Sequence, residues 1–133
     1  MSMRSAPLDD RDRRRWQGLL NDGQARSFLA TERLHTPHLI DSEIASGLRR
    51  QVQRKQLRAA DGWKALRTWR RLAVTRYPVY GLFERIWDIR ENFSAYDASY
   101  VALAENLDCA LVTADARLSN AAQARCPITV VPR

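Results

Sequence analysis

The sequence predicts an α/β fold with a mainly parallel sheet. Short apolar runs suited to buried strands recur along the chain, they alternate with segments of helical period, and no internal repeat, low-complexity tract or linker interrupts them. With 133 residues, of which 45% are hydrophobic and 28% charged, one compact domain over residues 1–133 has enough apolar side chains to close a core.

The elements follow in order. Pro7 to Gly23 reads as a polar helix with a narrow stripe of Trp16, Leu19 and Leu20, closed by the breakers Asn21, Asp22 and Gly23. Leu34 to Leu39 is a brief strand interrupted by Pro37. Asp41 or Ser42 then caps a helix in which Ile44, Leu48 and Val52 repeat every four residues. After Leu57 a second helix places Leu66, Trp69 and Leu72 three apart, and Val74 to Val79 is the next strand. Tyr80 to Arg90 is helical again. Ser94 opens the clearest helix, with Tyr96, Tyr100, Leu103 and Leu107 on one side. Cys109 to Thr113 and Ile128 to Val131 are apolar strands. Two cysteines without paired spacing make neither a disulfide framework nor a zinc site, and both read as buried thiols.

Charge is concentrated in one stretch. The whole chain carries 22 Lys and Arg against 15 Asp and Glu, a net +7, yet residues 49–76 hold ten bases and one acid, Asp61, while the flanking thirds are balanced or acidic. A solvated helix ordinarily mixes both signs, so this run points to a polyanion whose counterions it releases, nucleic acid above all. A soluble basic face and an acidic protein partner are the other readings. Arg49, Arg50, Arg54 and Lys55 are the candidate RNA contacts. No apolar run is long enough for a membrane span, and the charged amino end lacks the apolar core of a signal peptide. The expected location is the cytoplasm.

Three acids sit at element ends: Glu43 in the first turn of its helix, Asp97 in the first turn of the Ser94 helix, and Asp115 just after the Cys109 strand. In an open parallel sheet, strand carboxyl ends and the amino ends of the following helices share one edge, so the three can meet there. Clustered carboxylates repel unless a hard divalent cation such as Mg²⁺ or Mn²⁺ neutralises them. Such a cation beside a basic surface suits phosphodiester hydrolysis. Each acid also has a structural reading. Ser94 and Asp97 have capping-box spacing, Glu43 complements a helix dipole, and Asp115 caps a short helix from Ala116.

Three stretches together resemble the VapC-type PIN-domain ribonuclease toxins. HTPHLIDSEIASGLRR, residues 35–50, resembles the family's second strand and the helix bearing its second acidic position, here Glu43. YDASYVALAENL, residues 96–107, is similar to the helix bearing the third, here Asp97. LVTADARL, residues 111–118, is similar to the strand and turn bearing the fourth, here Asp115, with Thr113 at the adjacent hydroxyl position. The similarity covers residues 7–133. It implies a three-layer α/β/α fold and a Mg²⁺- or Mn²⁺-dependent endoribonuclease toxin of a type II toxin–antitoxin system. It also implies Glu43, Asp97 and Asp115 as catalytic metal-site residues, Thr113 in support, a cognate antitoxin and a homodimer.

One feature departs from the family. Its members open with a short central strand ending in an Asp, whereas MSMRSA has no strand pattern and no acid, so that strand is expected to be missing. Asp9, Asp10 and Asp12 do not match the motif. A chain lacking one ligand could instead be a non-catalytic RNA- or antitoxin-binding protein.

Trp63, Trp69 and Trp87 can stack on bases or pack in the core, and the stripe with Leu66 and Leu72 assigns Trp69 to the core. His35 and His38 flank Pro37 and point apart. The five scattered glycines form no phosphate loop.

Overall fold

A computed structural model describes residues 2–4, 34–120 and 122–130. Five strands, β1 (Ser2–Arg4), β2 (Leu34–Pro37), β3 (Val74–Tyr77), β4 (Leu111–Thr113) and β5 (Ile128–Val130), form one sheet in the order β3-β2-β1-β4-β5. The helices are α1 (Leu39–Gln53), α2 (Ala59–Arg70), α3 (Phe83–Asp88) and α4 (Ala95–Asn106), with 3₁₀ turns at Tyr80–Leu82 and Ala116–Asn120. The α/β expectation holds. The expected helix over Pro7 to Gly23, with Asp9, Asp10 and Asp12, lies outside the described residues.

β2 pairs in parallel with β3, and β4 with β5, while β1 runs antiparallel to both β2 and β4. Four strands therefore point the same way and the middle one opposes them. This corrects the expectation of a missing central strand. Ser2–Arg4 fills that place, because β2 and β4 would otherwise each leave a row of backbone N–H and C=O groups unpaired in the middle of the sheet. Three residues are too few for an alternating pattern, so the strand left no trace in the sequence. Built from Ser, Met and Arg, it restores backbone pairing without adding a carboxylate.

The rest of the sheet follows its composition. β4, LVT, is buried on both faces, as its unbroken apolar run requires. β1 meets only Leu34 and His35 of β2, so Pro37 sits beyond that ladder, where its missing N–H is tolerated.

Helix α1 begins earlier than expected. Its N-cap is His38, without a side-chain cap bond, and neither Asp41 nor Ser42 caps it. The chain turns directly from Pro37 so that Ile40, 2% exposed, enters the core. Asp41, freed from capping, accepts bonds from Trp69 Nε1 at 2.6 Å and from Arg76 Nε at 2.6 Å, joining α1, α2 and β3. The Arg76 bond holds the Asp41 carboxyl below its ordinary range, with Trp69 and the Arg76 charge adding to it against the opposing effect of burial. Lys55 (φ 59°) and Asp108 (φ 53°) follow α1 and α4 in the left-handed conformation, and the amides after them reach back to Gln51 and Ala104. These are Schellman-type closures at about 1 kcal/mol or more of backbone strain where glycine is absent.

Helix α4 is the centre of the core. Ala98 to Ala104 are all buried, and the helix packs on β1, β2, β4 and α3. Apolar residues all round a helix mean burial on every side, and the small Ala98, Ala102 and Ala104 allow close approach. Leu34, Ile89, Leu111 and Val112 join its own Val101 and Leu103 in the core, each stabilising the fold by roughly 1.5–3 kcal/mol. Trp69 is buried, as its stripe predicts, whereas Trp63, Trp87 and Tyr96 are exposed. Cys109 is a buried thiol. Cys126 is only partly buried, against the expectation of two buried thiols.

Candidate active site

The sheet's direction sets the site. The carboxyl ends of β2 and β4 share an edge, which places the start of α1 and the turn after β4 side by side. Ser94 caps α4 by accepting the Asp97 N–H at 3.1 Å, leaving Asp97 in the first turn. After β4, the buried Thr113 hydroxyl accepts the Asp115 N–H at 3.0 Å. The Asp115 carboxylate in turn accepts the Arg117 N–H at 3.0 Å, opening the Ala116–Asn120 turn. The capping readings of Ser94 and Asp115 are therefore realised, and both caps also hold their acids toward the same space.

That space is a pocket of about 730 Å³ with Ser94, Asp97, Asp115 and Arg117 in its lining beside the buried Phe93 and Leu118. Burial pushes the Asp97 carboxyl above its ordinary 3.8. The facing charge of Asp115 adds to this, while the Ser94 hydroxyl and Arg117 pull it back. Asp115 is clamped by Arg117, with Nη2 to Oδ2 at 2.7 Å and Nε to Oδ1 at 3.0 Å.

Glu43 stands differently from its expectation. Because α1 starts at Leu39, Glu43 lies in the second turn, and the first-turn acid is Asp41. It is exposed and does not line the pocket. Its Oε1 accepts from the hydroxyl of Tyr100 at 2.8 Å. The Tyr100 side chain is fully buried, and burial followed by the Glu43 charge pushes its phenol far above the ordinary 10, with Asp97 contributing as well. Tyr100 is thus a fixed donor to Glu43. Two of the three carboxylates share the pocket, and Glu43 stands outside its lining, so the expected meeting of all three acids is not what the fold produces. Among the described residues no group of three His, Cys, Asp or Glu comes together to hold a metal ion. Asp97 and Asp115 do suit one as a pair, since Mg²⁺ is commonly held by one or two carboxylates with waters completing its shell. The destabilised charge on Asp97 is what such a cation would relieve.

The basic candidates lie apart from this edge. Arg49, Arg50, Arg54 and Lys55 are all exposed at the carboxyl end of α1, about 9–18 Å along the axis from Glu43 at 1.5 Å per residue. In the basic stretch Arg58 pairs with Asp61 and Arg76 with Asp41. Among the described residues Arg49, Arg50, Arg54 and Lys55, with Lys64, Arg67, Arg70 and Arg71, have no ion-pair partner.

Sequence reasoning missed Tyr100 and Arg117 as site residues. The signal for Tyr100 was its spacing three after Asp97, which places both on one side of α4. Arg117 offered only its nearness to Asp115.

Comparison with known proteins adds an independent line. Residues 6–124 match the PIN domain family. A VapC ribonuclease of Mycobacterium bovis is 78% identical over 115 residues, which is 86% of this chain and 91% of that protein. Ribonuclease VapC9 of Mycobacterium tuberculosis has the same identity and coverage. Ribonuclease VapC1 of Mycobacterium tuberculosis is 38% identical over 107 residues, 80% of each chain.

Proposed function

The chain belongs to the PIN domain family, in its VapC-type branch, and from that premise we propose that it is the toxin of a type II toxin–antitoxin pair, an endoribonuclease acting as one domain over residues 1–133. Ribonucleases of this family depend in general on a divalent metal. The ion proposed here is Mg²⁺ or Mn²⁺, matching carboxylate oxygen donors. The observation that carries the reading is the pairing of Asp97 with Asp115 in one pocket, where burial and the opposing charge destabilise the Asp97 carboxylate.

In this reading Asp97 and Asp115 hold the cation, which when bound polarises a phosphoryl oxygen and helps water lose a proton. Thr113 fixes the backbone that presents Asp115. Tyr100 takes one oxygen of Glu43 and leaves the other to accept from the attacking water, so Glu43 orients it. Arg49, Arg50, Arg54 and Lys55, too far along α1 to reach the acids, grip flanking phosphates of the RNA. A cognate antitoxin, a homodimer and a cytoplasmic location complete the proposal. Among the described residues no helix is long and apolar enough to cross a membrane.

The test is RNA cleavage with Mn²⁺ by the full chain and by Asp97→Ala. A loss of about 100-fold or more is expected when a metal-holding carboxylate is removed, and equal rates would remove the catalytic assignment. A second reading, an RNA- or antitoxin-binding protein without catalysis, is favoured by the absence of an acid from Ser2–Arg4. It predicts salt-sensitive RNA binding by a chain that neither cleaves RNA nor binds Mn²⁺.

A further inference from the structure

Asp115 does not face its pocket alone. Both of its oxygens are engaged by one guanidinium: Arg117 Nε lies 3.0 Å from Oδ1 and 3.3 Å from Oδ2, and Nη2 lies 2.7 Å from Oδ2. Among the described residues Arg117 is the only basic side chain lining the pocket. We infer that Arg117 is the internal counter-cation of the acidic pocket, claiming the Asp115 oxygens that a divalent cation needs, and so sets the metal affinity of the site. This inference rests on the reading of Asp97 and Asp115 as the metal-holding pair.

Four features support it. The fork is two-pronged, the geometry in which guanidinium and carboxylate match best. The Arg117 side chain is 88% exposed against 23% for Asp115, so the guanidinium can swing into solvent without uncovering the core, while the acid stays in place. The Arg117 main-chain N–H, 3.0 Å from Oδ1, keeps the carboxylate oriented whether or not the guanidinium is there. The guanidinium's field also reaches Asp97, whose own charge acts back on Arg117. Metal binding must therefore displace a charge that already neutralises the site, and the competition lowers the apparent affinity of the cation.

The experiment is calorimetric titration of Mn²⁺ into the full chain and its Arg117→Gln, Arg117→Lys and Asp97→Asn variants, with folding checked by circular dichroism. Gln keeps reach and polarity but not charge, and should bind Mn²⁺ about three- to fivefold more tightly, the scale of an exposed ion pair. Lys keeps the charge without the fork and should fall between Gln and the parent. Arg117→Gln binding equal to or weaker than the parent, with Asp97→Asn losing the metal, overturns the counter-cation and leaves the metal pair standing. Asp97→Asn binding as the parent does overturns both.

Discussion

Two arginine–carboxylate pairs in this molecule have the same 2.7 Å contact and opposite characters. Arg85 in α3 meets Glu105 in α4, twenty residues on, with side chains 19% and 13% exposed. Its Nη2 also donates to the Gln123 carbonyl at 2.6 Å, and Glu105 Oε1 accepts the Arg125 N–H at 2.7 Å. Three segments are tied by one desolvated pair. Arg117 and Asp115 lie two residues apart, with the arginine side chain 88% exposed, and tie a turn to itself. Contact distance does not separate them. Burial and the length of chain each pair spans make the first a strut and the second a removable occupant.

The comparison is sharpened most by Arg85→Ala. Leaving Glu105 buried without its partner should cost about 2–3 kcal/mol in urea unfolding, and a cost near zero would erase the distinction. The pair also predicts a pH dependence. Burial pulls Glu105 up, but the Arg85 bond, the Arg125 amide and both charges together bring it below its ordinary 4.5. Its contribution is therefore present above that value and lost as pH falls through the depressed one, a slope that Arg85→Ala should flatten.

Tyr100→Phe keeps the core volume and removes the bond to Glu43. A loss of about 1 kcal/mol is expected, together with slower RNA cleavage. A stability loss without any change in cleavage would make Tyr100 a packing residue only. Asp97→Asn should act in the opposite direction and raise the melting midpoint by about 2 °C at neutral pH. The Asp97 pKa is raised, so the folded state loses stability as pH climbs from the ordinary 3.8 through the raised value, and Asn abolishes that loss. Smallest of all is Arg117→Gln, whose melting midpoint should stay within about 1 °C of the parent. A large drop there would make Arg117 a second strut.

Much of the site was readable before the fold. Ser94 and Asp97 announced the start of α4 because a hydroxyl three residues before an acid is a local device, complete within one turn. LVT followed by Asp115 likewise read as strand and turn. Glu43 was placed one turn too early, because the start of α1 is decided by where Ile40 finds the core and by what Asp41 binds in α2 and β3, neither of which a local pattern contains. Tyr100 looked like one more apolar position until the position of α1 supplied its acceptor. The charge of residues 49–76 was visible at once, but its distance from the acids depended on its falling at the far end of the helix that carries Glu43.

By itself the sequence determined the α/β alternation, the family, the basic stretch and the local devices at Ser94 and Asp115, since periodicity, caps and net charge are properties of neighbours along the chain. Only the tertiary structure decided that Ser2–Arg4 would pair in the middle of the sheet, that Asp97 and Asp115 would share a pocket while Glu43 stayed outside it on Tyr100, and that one arginine would be buried with its acid and the other left in water. Those outcomes depend on contacts between residues far apart in the chain and on the water those contacts exclude. Neither is encoded at any single position.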